Sequence, residues 1–341
     1  MRALVFSSFG GPLTVESVPD PACPPAGVVL RVGATGVCRS DWHGWQGHDP
    51  DVRLPHVPGH ELAGTVEAVG PLVRRWSVGD RVTVPFVCAC GSCAVCRSGN
   101  GQVCPHQTQP GFTHWGSFAT YVALDAADVN LVGLPSDMAF STAASLGCRF
   151  ATAYRAVVQV GAVRPGEWVV VHGCGGVGLS VVQVAAAHGA RVVAVDVSVE
   201  ALSLASSFGA DVVVDASAED VVPAALSATG GGAALSLDCL GSAATCKDSV
   251  LSLAPRGRHV QVGLLPGGPT PLPMDRVIGR ELSLLGSHGM AASSYPEMLS
   301  MVTSGQLRPD LLVTREIGLG DAAGALRDVG RVPGVTVVTS F

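Results

Sequence analysis

The second half of the chain alternates short β-branched runs with Ala- and Ser-rich segments of helical length. From about residue 168 these runs read WVVVH, RVVAVD, DVVVD, ALSLD and HVQVG, and ELSLLG at 281–286 follows as a sixth. Strands that are covered on both faces are apolar along their whole length, and helical crossovers make such a sheet parallel. Six strands in this order predict an α/β, doubly wound nucleotide-binding fold.

A glycine-rich turn follows the first of these runs. The segment VVVHGCGGVGLSVV places Gly173, Gly175 and Gly178 in G-x-G-x-x-G spacing, after a strand and at the opening of a helix. Such glycines permit a tight turn, close approach to a pyrophosphate and close helix packing, while the helix start supplies N–H donors. This context favours a dinucleotide site, with Gly176 and Val177 as further contacts, over an ordinary glycine-rich turn.

The acidic residue that ends the second run indicates which coenzyme binds. Asp196 lies eighteen residues after Gly178. Its carboxylate would accept hydrogen bonds from both adenosine ribose hydroxyls and would repel a 2′-phosphate. Because Val197 follows, where an arginine would offset the repulsion, we expect NAD rather than NADP. The alternative role for Asp196 is a helix N-cap, which Ser198 could also fill.

The first 150 residues read differently. Short strands such as VVLRVG, GTVEAVG and DRVTVPF are interrupted by Gly and Pro, as in PDPACPPAG at 19–27, which predicts an irregular all-β barrel. After Gly286 we expect one helix near YPEMLSMVTSG and a final strand VTVVTS, which should pack back on the first domain. The predicted domains are therefore 1–150 with 287–341, and 151–286; two domains suit a chain of 341 residues.

Composition excludes several classes of protein. Hydrophobic residues make up 48% and charged residues 14% of the chain, so most of it must be buried. A net charge of -6 without a basic block argues against nucleic-acid binding. The amino terminus MRALVFSSFG does not resemble a secretory signal, so we expect a cytoplasmic protein with reduced thiols. The nearly uncharged window 169–187 has the length of a membrane span, but its glycines and His172 predict strand, turn and helix, and we expect no membrane association.

Five cysteines lie in the segment CACGSCAVCRSGNGQVC at 88–104. Gaps of two, two and seven residues separate four of them: Cys90, Cys93, Cys96 and Cys104. Four thiolates around one tetrahedral ion close the site to substrate, so the spacing predicts a structural zinc lobe. A redox C-x-x-C would explain only two of the cysteines, and an iron–sulfur cluster is a weaker rival. Cys88 is left over as a small residue near the site, able to compete as a ligand if the loop rearranges.

Three further segments carry isolated cysteines and histidines: GVCRSDWHGW, PHVPGHELAG and SLGCRFATAY. Spacing alone cannot bring them together. With the glycine turn and the four cysteines, however, they resemble the zinc-dependent alcohol dehydrogenases of the medium-chain dehydrogenase/reductase superfamily over essentially the whole chain. The most specific motifs are GHELAGTVEAVG, CGSCAVC and GCGGVG. The resemblance implies a catalytic domain with a GroES-like barrel, a Rossmann domain and an active site in the cleft between them.

The resemblance also implies a catalytic metal site. Cys38, His60 and Cys148 match the family's zinc ligands, with a fourth position open. Glu61 matches a glutamate that can visit the metal during ligand exchange, and Asp41 matches the carboxylate that orients the histidine ligand. Together with the four-cysteine lobe, this implies two zinc ions per chain.

A proton relay and coenzyme contacts follow from the same resemblance. Ser40 and His43 match a relay that takes the proton of the zinc-bound alcohol through the nicotinamide ribose, while hydride passes to NAD+. Thr152 matches a residue that packs against the nicotinamide ring, and Arg39 matches a pyrophosphate contact. The alternatives are that His43 is a surface residue and that Ser40 is a helix cap.

The expected function is the reversible oxidation of a primary or secondary alcohol to an aldehyde or ketone with NAD+. The alternatives are a zinc-free quinone or enoyl reductase and a non-catalytic, redox-sensing scaffold; the ligand set argues against the first, and the relay residues against the second. Trp42, Trp45 and Trp115 lie in segments expected to border the cleft, so they indicate either an apolar or aromatic alcohol or simple packing. Family members of this length imply a homotetramer or a homodimer.

Overall fold

The computed structural model describes residues 1–265 and 268–341, which form two compact units. The first unit consists of Met1–Ala151, Gly289–Ser300 and Pro309–Phe341, and the second consists of Thr152–His288 and Met301–Arg308. Each unit has its own sheet and its own hydrophobic core.

Strands and helices alternate in much of the second unit, whereas the first three strands of the first unit follow one another without a helix between them. Within the described ranges the strands are β1 (Arg2–Val5), β2 (Thr14–Ser17), β3 (Val28–Gly36), β4 (Glu61–Val69), β5 (Arg81–Thr83), β6 (Tyr121–Leu124), β7 (Val132–Gly133), β8 (Trp168–His172), β9 (Arg191–Asp196), β10 (Val212–Asp215), β11 (Ala233–Asp238), β12 (Leu253–Gln261), β13 (Ser283–Gly286), β14 (Val313–Gly318) and β15 (Val335–Ser340). The α-helices are α1 (Arg39–Trp45), α2 (Ala94–Arg97), α3 (Ala127–Asn130), α4 (Phe140–Ser145), α5 (Ala151–Tyr154), α6 (Gly176–Ala187), α7 (Val199–Ser207), α8 (Val221–Thr229), α9 (Ala243–Leu251), α10 (Met274–Gly279), α11 (Tyr295–Thr303) and α12 (Ala322–Arg327).

The main sheet of the first unit is centred on β3. Its order is β14-β15-β3-β4-β5-β7, with β6 also paired to β3, and β1 pairs with β2 separately. Strands β3 and β4 are antiparallel along their whole length, with Gly36 opposite Glu61. Apolar side chains of β3, β4, β5 and β6 fill one core cluster, including Leu30, Leu62 and Val82. The three strands predicted from VVLRVG, GTVEAVG and DRVTVPF are confirmed as β3, β4 and β5.

The carboxyl-terminal segment contains more structure than the sequence predicted. The expected helix and final strand are confirmed as α11 and β15, but the prediction of a single helix was wrong, because α12 and β14 are also present. Helix α12 is six residues long and contains Gly324, so its intrinsic helix signal is weak. It is stabilised by burial of Ala322, Ala325 and Leu326, which lie on one face.

The second unit contains the predicted parallel sheet. Its order is β10-β9-β8-β11-β12-β13, and all of its neighbouring strands are parallel. All six predicted strands are confirmed, with the last one beginning at Ser283. The strand order reverses between β8 and β11, which is where sheets of this type bind ligands, beyond the carboxyl ends of the strands.

The apolar window 169–187 forms β8, a turn and α6, as the sequence predicted. Helix α6 is only 12 residues long. Across the described part of the chain, helices that combine the length and apolarity needed to cross a membrane are absent.

Residues 301–308 differ from the predicted domain boundaries. The sequence prediction placed all of 287–341 with the first domain, whereas Met301–Arg308 belong to the second unit. The side chain of Gln183 explains the difference, because its Nε2 donates to the carbonyl of Arg308 at 3.0 Å and its Oε1 accepts from the Arg308 amide at 2.6 Å. The Tyr154 hydroxyl also contacts Sδ of Met301 at 3.8 Å.

Candidate metal and coenzyme sites

The sheet of the first unit brings together the residues predicted to bind the catalytic metal. Cys38 lies between β3 and α1, His60 and Glu61 lie at the start of the partner strand β4, and Cys148 lies in a π-helical turn at Leu146–Phe150. One donor atom from each of these four residues lies within 4.8 Å of the others. Three segments that are far apart in sequence therefore converge on one buried point.

Asp41 fixes the orientation of the His60 ring. Its Oδ1 accepts hydrogen bonds from Nδ1 of His60 at 2.8 Å and from the Gly59 amide at 2.9 Å, and its Oδ2 accepts from the Cys38 amide at 3.1 Å. With Nδ1 donating to the carboxylate, the neutral, metal-binding form of the ring carries its lone pair on Nε2. Burial lowers the pKa of His60, but Asp41 and Cys38 outweigh this effect and raise it well above its usual range. Among the described residues, this buried Nε2 has no hydrogen-bond partner.

The donor set suits zinc. A hydrogen bond from Cys148 lowers the pKa of the Cys38 thiol well below its usual range, and His60 acts in the same direction against the effect of burial. The site thus favours a thiolate, which is the metal-binding form of cysteine. Two sulfurs and one imidazole nitrogen form the shell of a catalytic zinc that keeps an open position for substrate. The buried, unpartnered Nε2 of His60 is the observation that fits this metal best.

Glu61 is held by Arg149, a residue that sequence reasoning missed. Both side chains are buried. Arg149 donates from Nε to Oε1 of Glu61 at 2.8 Å, from its backbone amide to the same oxygen at 3.1 Å, and from Nη2 to Oε2. Burial raises the pKa of Glu61, and the Arg149 guanidinium opposes this shift. The available signal was one arginine inside the otherwise uncharged segment SLGCRFATAY.

Ser40 and His43 lie three residues apart on α1, a spacing that places them on one face of the helix. The N-cap of α1 is Cys38, so Ser40 lies inside the first turn and is not the cap. The side chain of His43 is half-buried. Its Nδ1 lies 2.9 Å from Nδ1 of His48, which is a second residue that sequence reasoning missed.

The four predicted zinc-lobe cysteines form a separate cluster around α2. Their sulfurs all lie within 4.8 Å of one another, with separations of 3.4 Å for Cys93–Cys96 and 3.5 Å for Cys90–Cys104. These separations far exceed a disulfide bond, and the cysteines are free thiols. Backbone N–H groups of Ser92 and Cys93 lower the pKa of Cys90 to about 5, which favours its thiolate form.

Cys88 lies apart from this cluster. It packs in the core beneath the main sheet of the first unit, and its backbone pairs with Thr108 through hydrogen bonds of 2.8 and 2.9 Å. Its sulfur contacts the Pro85 carbonyl at 3.7 Å, and burial raises the pKa of its thiol to about 12. These features describe a packed thiol and not a metal ligand.

The glycine turn of the second unit has the geometry that a dinucleotide site needs. Gly173 has φ +89°, a left-handed conformation that favours glycine. A Cβ on Gly178 would collide with the Gly173 carbonyl, so only glycine lets α6 start this close to the turn. Gly175 is the N-cap of α6, and Gly176 and Val177 form its first turn. Their N–H groups lie at a helix start, where a phosphate can accept hydrogen bonds.

Asp196 lies at the end of β9, beside this turn. Its Oδ2 accepts from the Cys174 amide at 2.6 Å, and its Oδ1 accepts from the amides of Val197 and Ser198 at 2.8 and 2.9 Å. The N-cap of α7 is Ser198, whose Oγ accepts from the Ala201 amide. The alternative role of Asp196 as a helix cap is therefore filled by its neighbour.

The remaining predicted contacts lie in different places. Thr152 is buried in α5, in the second unit. Arg39 is exposed at the start of α1 and lines a cavity of about 280 Å³. The other residues that line the cavity are Trp42, Arg327, Val329, Gly330 and Arg331.

The three tryptophans pack against one hydrophobic core of the first unit. Trp45 is buried, and its Nε1 donates to the Gly11 carbonyl at 2.9 Å. Trp42 and Trp115 are partly buried against the same cluster. This arrangement favours the packing interpretation for Trp45.

Comparison with known proteins agrees with this geometry. The family described as "Alcohol dehydrogenase GroES-like domain" matches residues 24–136, and the family described as "Zinc-binding dehydrogenase" matches residues 176–304. The fold and the clustered donors thus define a zinc-binding dehydrogenase with a GroES-like domain and a Rossmann-like parallel sheet. The predicted fold class is confirmed.

Individual relatives define the family more closely. An alcohol dehydrogenase of Geobacillus stearothermophilus is 36% identical over 310 residues, which cover 90% of each chain. One from Rhizobium meliloti (strain 1021) is 38% identical over 311 residues, covering 90% of this chain and 89% of the relative. A solved structure described as an NAD-dependent alcohol dehydrogenase is 33% identical, with a TM-score of 0.91 over 100% of both chains. The chain belongs to the zinc-dependent alcohol dehydrogenases of the medium-chain dehydrogenase/reductase superfamily, as predicted.

Proposed function

We propose that this protein reversibly oxidises a primary or secondary alcohol to an aldehyde or ketone with NAD+, at a zinc ion held by Cys38, His60 and Cys148. The observation that carries the proposal is the His60 ring. Asp41 binds its Nδ1, its buried Nε2 has no hydrogen-bond partner among the described residues, and one nitrogen of the ring lies within 4.8 Å of both cysteine sulfurs. A cation would complete this donor set, since a buried unpaired nitrogen otherwise costs stability.

The chain's own residues would bind the reactants and move the proton. Zinc, when bound, acts as a Lewis acid that lowers the pKa of the alcohol hydroxyl, and NAD+ accepts the hydride. In this proposal Ser40 receives the hydroxyl proton and passes it toward His43, while Asp41 keeps the imidazole of His60 in its metal-binding tautomer. Glu61 acts as the residue that can approach the metal during ligand exchange, for which it would have to leave Arg149.

We also propose a second, structural zinc ion held by Cys90, Cys93, Cys96 and Cys104, which gives two ions per chain. Four sulfurs within 4.8 Å of one another support it. Four-coordinate sulfur sites of this kind stabilise a fold and take no part in the chemistry.

The coenzyme would bind at the glycine turn of the second unit. The pyrophosphate is proposed to contact the start of α6, at Gly175 to Gly178, and Arg39. Arg327 and Arg331 line the same cavity as Arg39 and would add positive charge there. Asp196 would bind the adenosine ribose and disfavour NADP, and Thr152 would pack against the nicotinamide.

The two alternative functions are less well supported. A zinc-free quinone or enoyl reductase has no use for the buried donor set, and a scaffold has no use for Ser40 and His43 beside it.

We infer that the partners are a small alcohol and its carbonyl product, that the assembly is a homotetramer or homodimer, and that the protein is cytoplasmic. The eleven free thiols support the reducing compartment.

Elemental analysis and an activity panel test the proposal together. The full chain should contain two zinc ions and should form NADH, followed by absorbance, with at least one of ethanol, 2-propanol, cyclohexanol and benzyl alcohol. Cys148→Ser should abolish turnover, halve the zinc content and retain NAD binding. Cys23→Ser is the matched control, because Cys23 is half-buried outside both clusters. Unchanged turnover in Cys148→Ser, or a wild-type chain that is inactive on the whole panel, would refute the proposed function.

A further inference from the structure

We propose that His48 continues the proton relay beyond His43 and releases the alcohol proton to solvent. The inference rests on the proposed function and adds a residue that the relay of Ser40 and His43 does not contain. Its basis is the hydrogen-bonded contact between the two imidazoles, one of them half-buried and the other exposed.

The contact is built by the turn that follows α1. The helix ends at Trp45, and the His48 amide donates to the His43 carbonyl at 3.0 Å. Gly47 has φ +78°, and a Cβ there would lie 2.8 Å from the Phe9 ring, so glycine permits the chain to turn back at this point. As a result, Nδ1 of His48 lies 2.9 Å from Nδ1 of His43.

Trp42 supports both imidazoles. Its ring packs edge-on against His43 with centroids 5.0 Å apart and against His48 with centroids 5.7 Å apart. The two imidazole centroids are 5.2 Å apart. Since Trp42 also packs on the hydrophobic core, the pair is anchored to the fold while His48 remains exposed.

The atoms of the pair allow a balanced proton transfer. In an Nδ1···Nδ1 hydrogen bond one nitrogen donates and the other accepts, so we assign the donor N–H to His43 and the lone pair to His48. A proton that arrives at Nε2 of His43 then releases the Nδ1 proton to Nδ1 of His48, and His48 passes its Nε2 proton to water. One proton enters and one leaves, and exchange with solvent restores the starting tautomers. Carbonyl reduction uses the same path in reverse.

The charges around His43 favour a neutral ring that can accept a proton. Burial lowers the pKa of His43, and His48 and Arg39 lower it further, whereas Cys38 raises it. A competing explanation is that the imidazole pair only fixes the turn. The two explanations predict different results for a side chain at position 48 that forms a hydrogen bond but does not titrate. Such a side chain can still anchor the turn, but it cannot transfer a proton.

The test compares His48→Asn with His48→Phe in the full, zinc-loaded chain, assayed with NAD+ and either ethanol or benzyl alcohol. Asparagine places a hydrogen-bonding atom near the position of Nδ1 but cannot carry a proton. We expect kcat to fall about tenfold in both variants, with the KM for NAD+ unchanged. This is less than the roughly 10²–10⁴-fold that a positioned proton-transfer group contributes, because water can take over part of the role of an exposed terminal residue. The kcat should also become dependent on buffer concentration, and added imidazole should restore it. Gln46→Ala, in the same turn, is the control and should behave as wild type.

A second measurement does not depend on turnover. In full-length protein with isotope-labelled histidine, NMR titration should give a higher pKa for His43 in His48→Asn than in wild type, because a protonated His48 lowers the pKa of His43 and asparagine cannot be protonated. An unchanged His43 titration would contradict the coupling.

If His48→Asn keeps full activity and only His48→Phe loses it, the pair is a turn anchor and the relay is wrong. If the wild type turns over and both variants match it, the relay is wrong while the proposed function stands. If the wild type is inactive on the whole panel of alcohols, both proposals fail.

Discussion

Arg149 binds both carboxylate oxygens of Glu61, and each of these residues is the direct neighbour of a proposed metal ligand. Glu61 follows His60 at the start of β4, and Arg149 follows Cys148 in the turn before α5. The buried ion pair therefore ties together the two segments that supply an imidazole and a sulfur.

Removal of Arg149 should destabilise the protein strongly. Arg149→Met leaves the fully buried Glu61 without its partner, and we expect a loss of about 3–5 kcal/mol in the free energy of unfolding. The double variant Glu61→Gln, Arg149→Met should regain part of this loss. Denaturant unfolding measures both. Arg31→Met is the control, because it breaks an exposed pair with Glu67 and should cost less than about 1 kcal/mol. Equal losses in Arg149→Met and Arg31→Met would contradict the prediction.

Asp41→Asn should weaken the catalytic metal site. If the amide oxygen takes the place of Oδ1, it still accepts from His60 and from the Gly59 amide, but the NH2 group then faces the Cys38 amide, which donates to Oδ2 in the wild type. Loss of such a supporting carboxylate typically lowers zinc affinity about 10–100-fold. Competition with a chelator measures the affinity, and Asp51→Asn, at an exposed position, serves as the control. An affinity equal to that of the control would show that Asp41 does not support the metal.

The two kinds of cysteine in segment 88–104 should respond differently to substitution. Cys96→Ser should lower the zinc content from two ions to one and lower the melting temperature, because a structural ion contributes folding energy. Cys88→Ser should keep both ions, since Cys88 packs in the core away from the cluster. Elemental analysis and calorimetry check both variants. Loss of zinc from Cys88→Ser would mean that Cys88 ligates the ion.

Asp196→Asn should reduce the preference for NAD over NADP. The substitution removes the charge that would repel a 2′-phosphate and retains an oxygen for the backbone amides. The ratio of kcat/KM for the two coenzymes is the measurement. Asp215→Asn is a matched control, because Asp215 lies opposite Asp196 at the same end of the neighbouring strand. If the kcat/KM ratio shifts by a similar amount in both variants, the preference for NAD comes from the overall negative charge at this end of the sheet and not from Asp196 itself.

His172 should make the second unit sensitive to acid. Burial at the end of β8 lowers the pKa of His172 to about 4, so the folded state keeps this imidazole neutral. Its stabilising effect is complete above the unfolded pKa of about 6.5 and is lost as the pH falls toward 4, a change of about 3 kcal/mol. His172→Val should flatten this part of the pH profile. Melting temperatures of the two proteins from pH 7 to 4 test the prediction, which fails if the profiles remain parallel.

The parallel sheet was predictable because its strands are apolar on both faces, and this signal is local. Helix α12 was missed because its six residues contain Gly324 and depend on burial of Leu326 for stability. The glycine turn carried its own signal, since spacing and context lie within one segment.

The catalytic site was not predictable from spacing. Cys38 and His60 come together through the pairing of β3 with β4, and Cys148 joins them from the π-helical turn at Leu146–Phe150, so their prediction depended on family resemblance. Arg149 and His48 could not be predicted for the same reason. Their contacts with Glu61 and His43 form only in the folded chain, and the sequence pattern does not encode them.

The helical geometry of α1 limits which insertions and deletions this segment can accept. Ser40, Asp41 and His43 are all set by one short helical register, which begins directly after the N-cap residue Cys38. Each residue advances the helix by about 100°, so inserting or deleting a single residue here would swing every later side chain to a different direction. Related sequences can therefore vary at those positions of this stretch that carry no proposed role, but a change in its length would misplace all of the others.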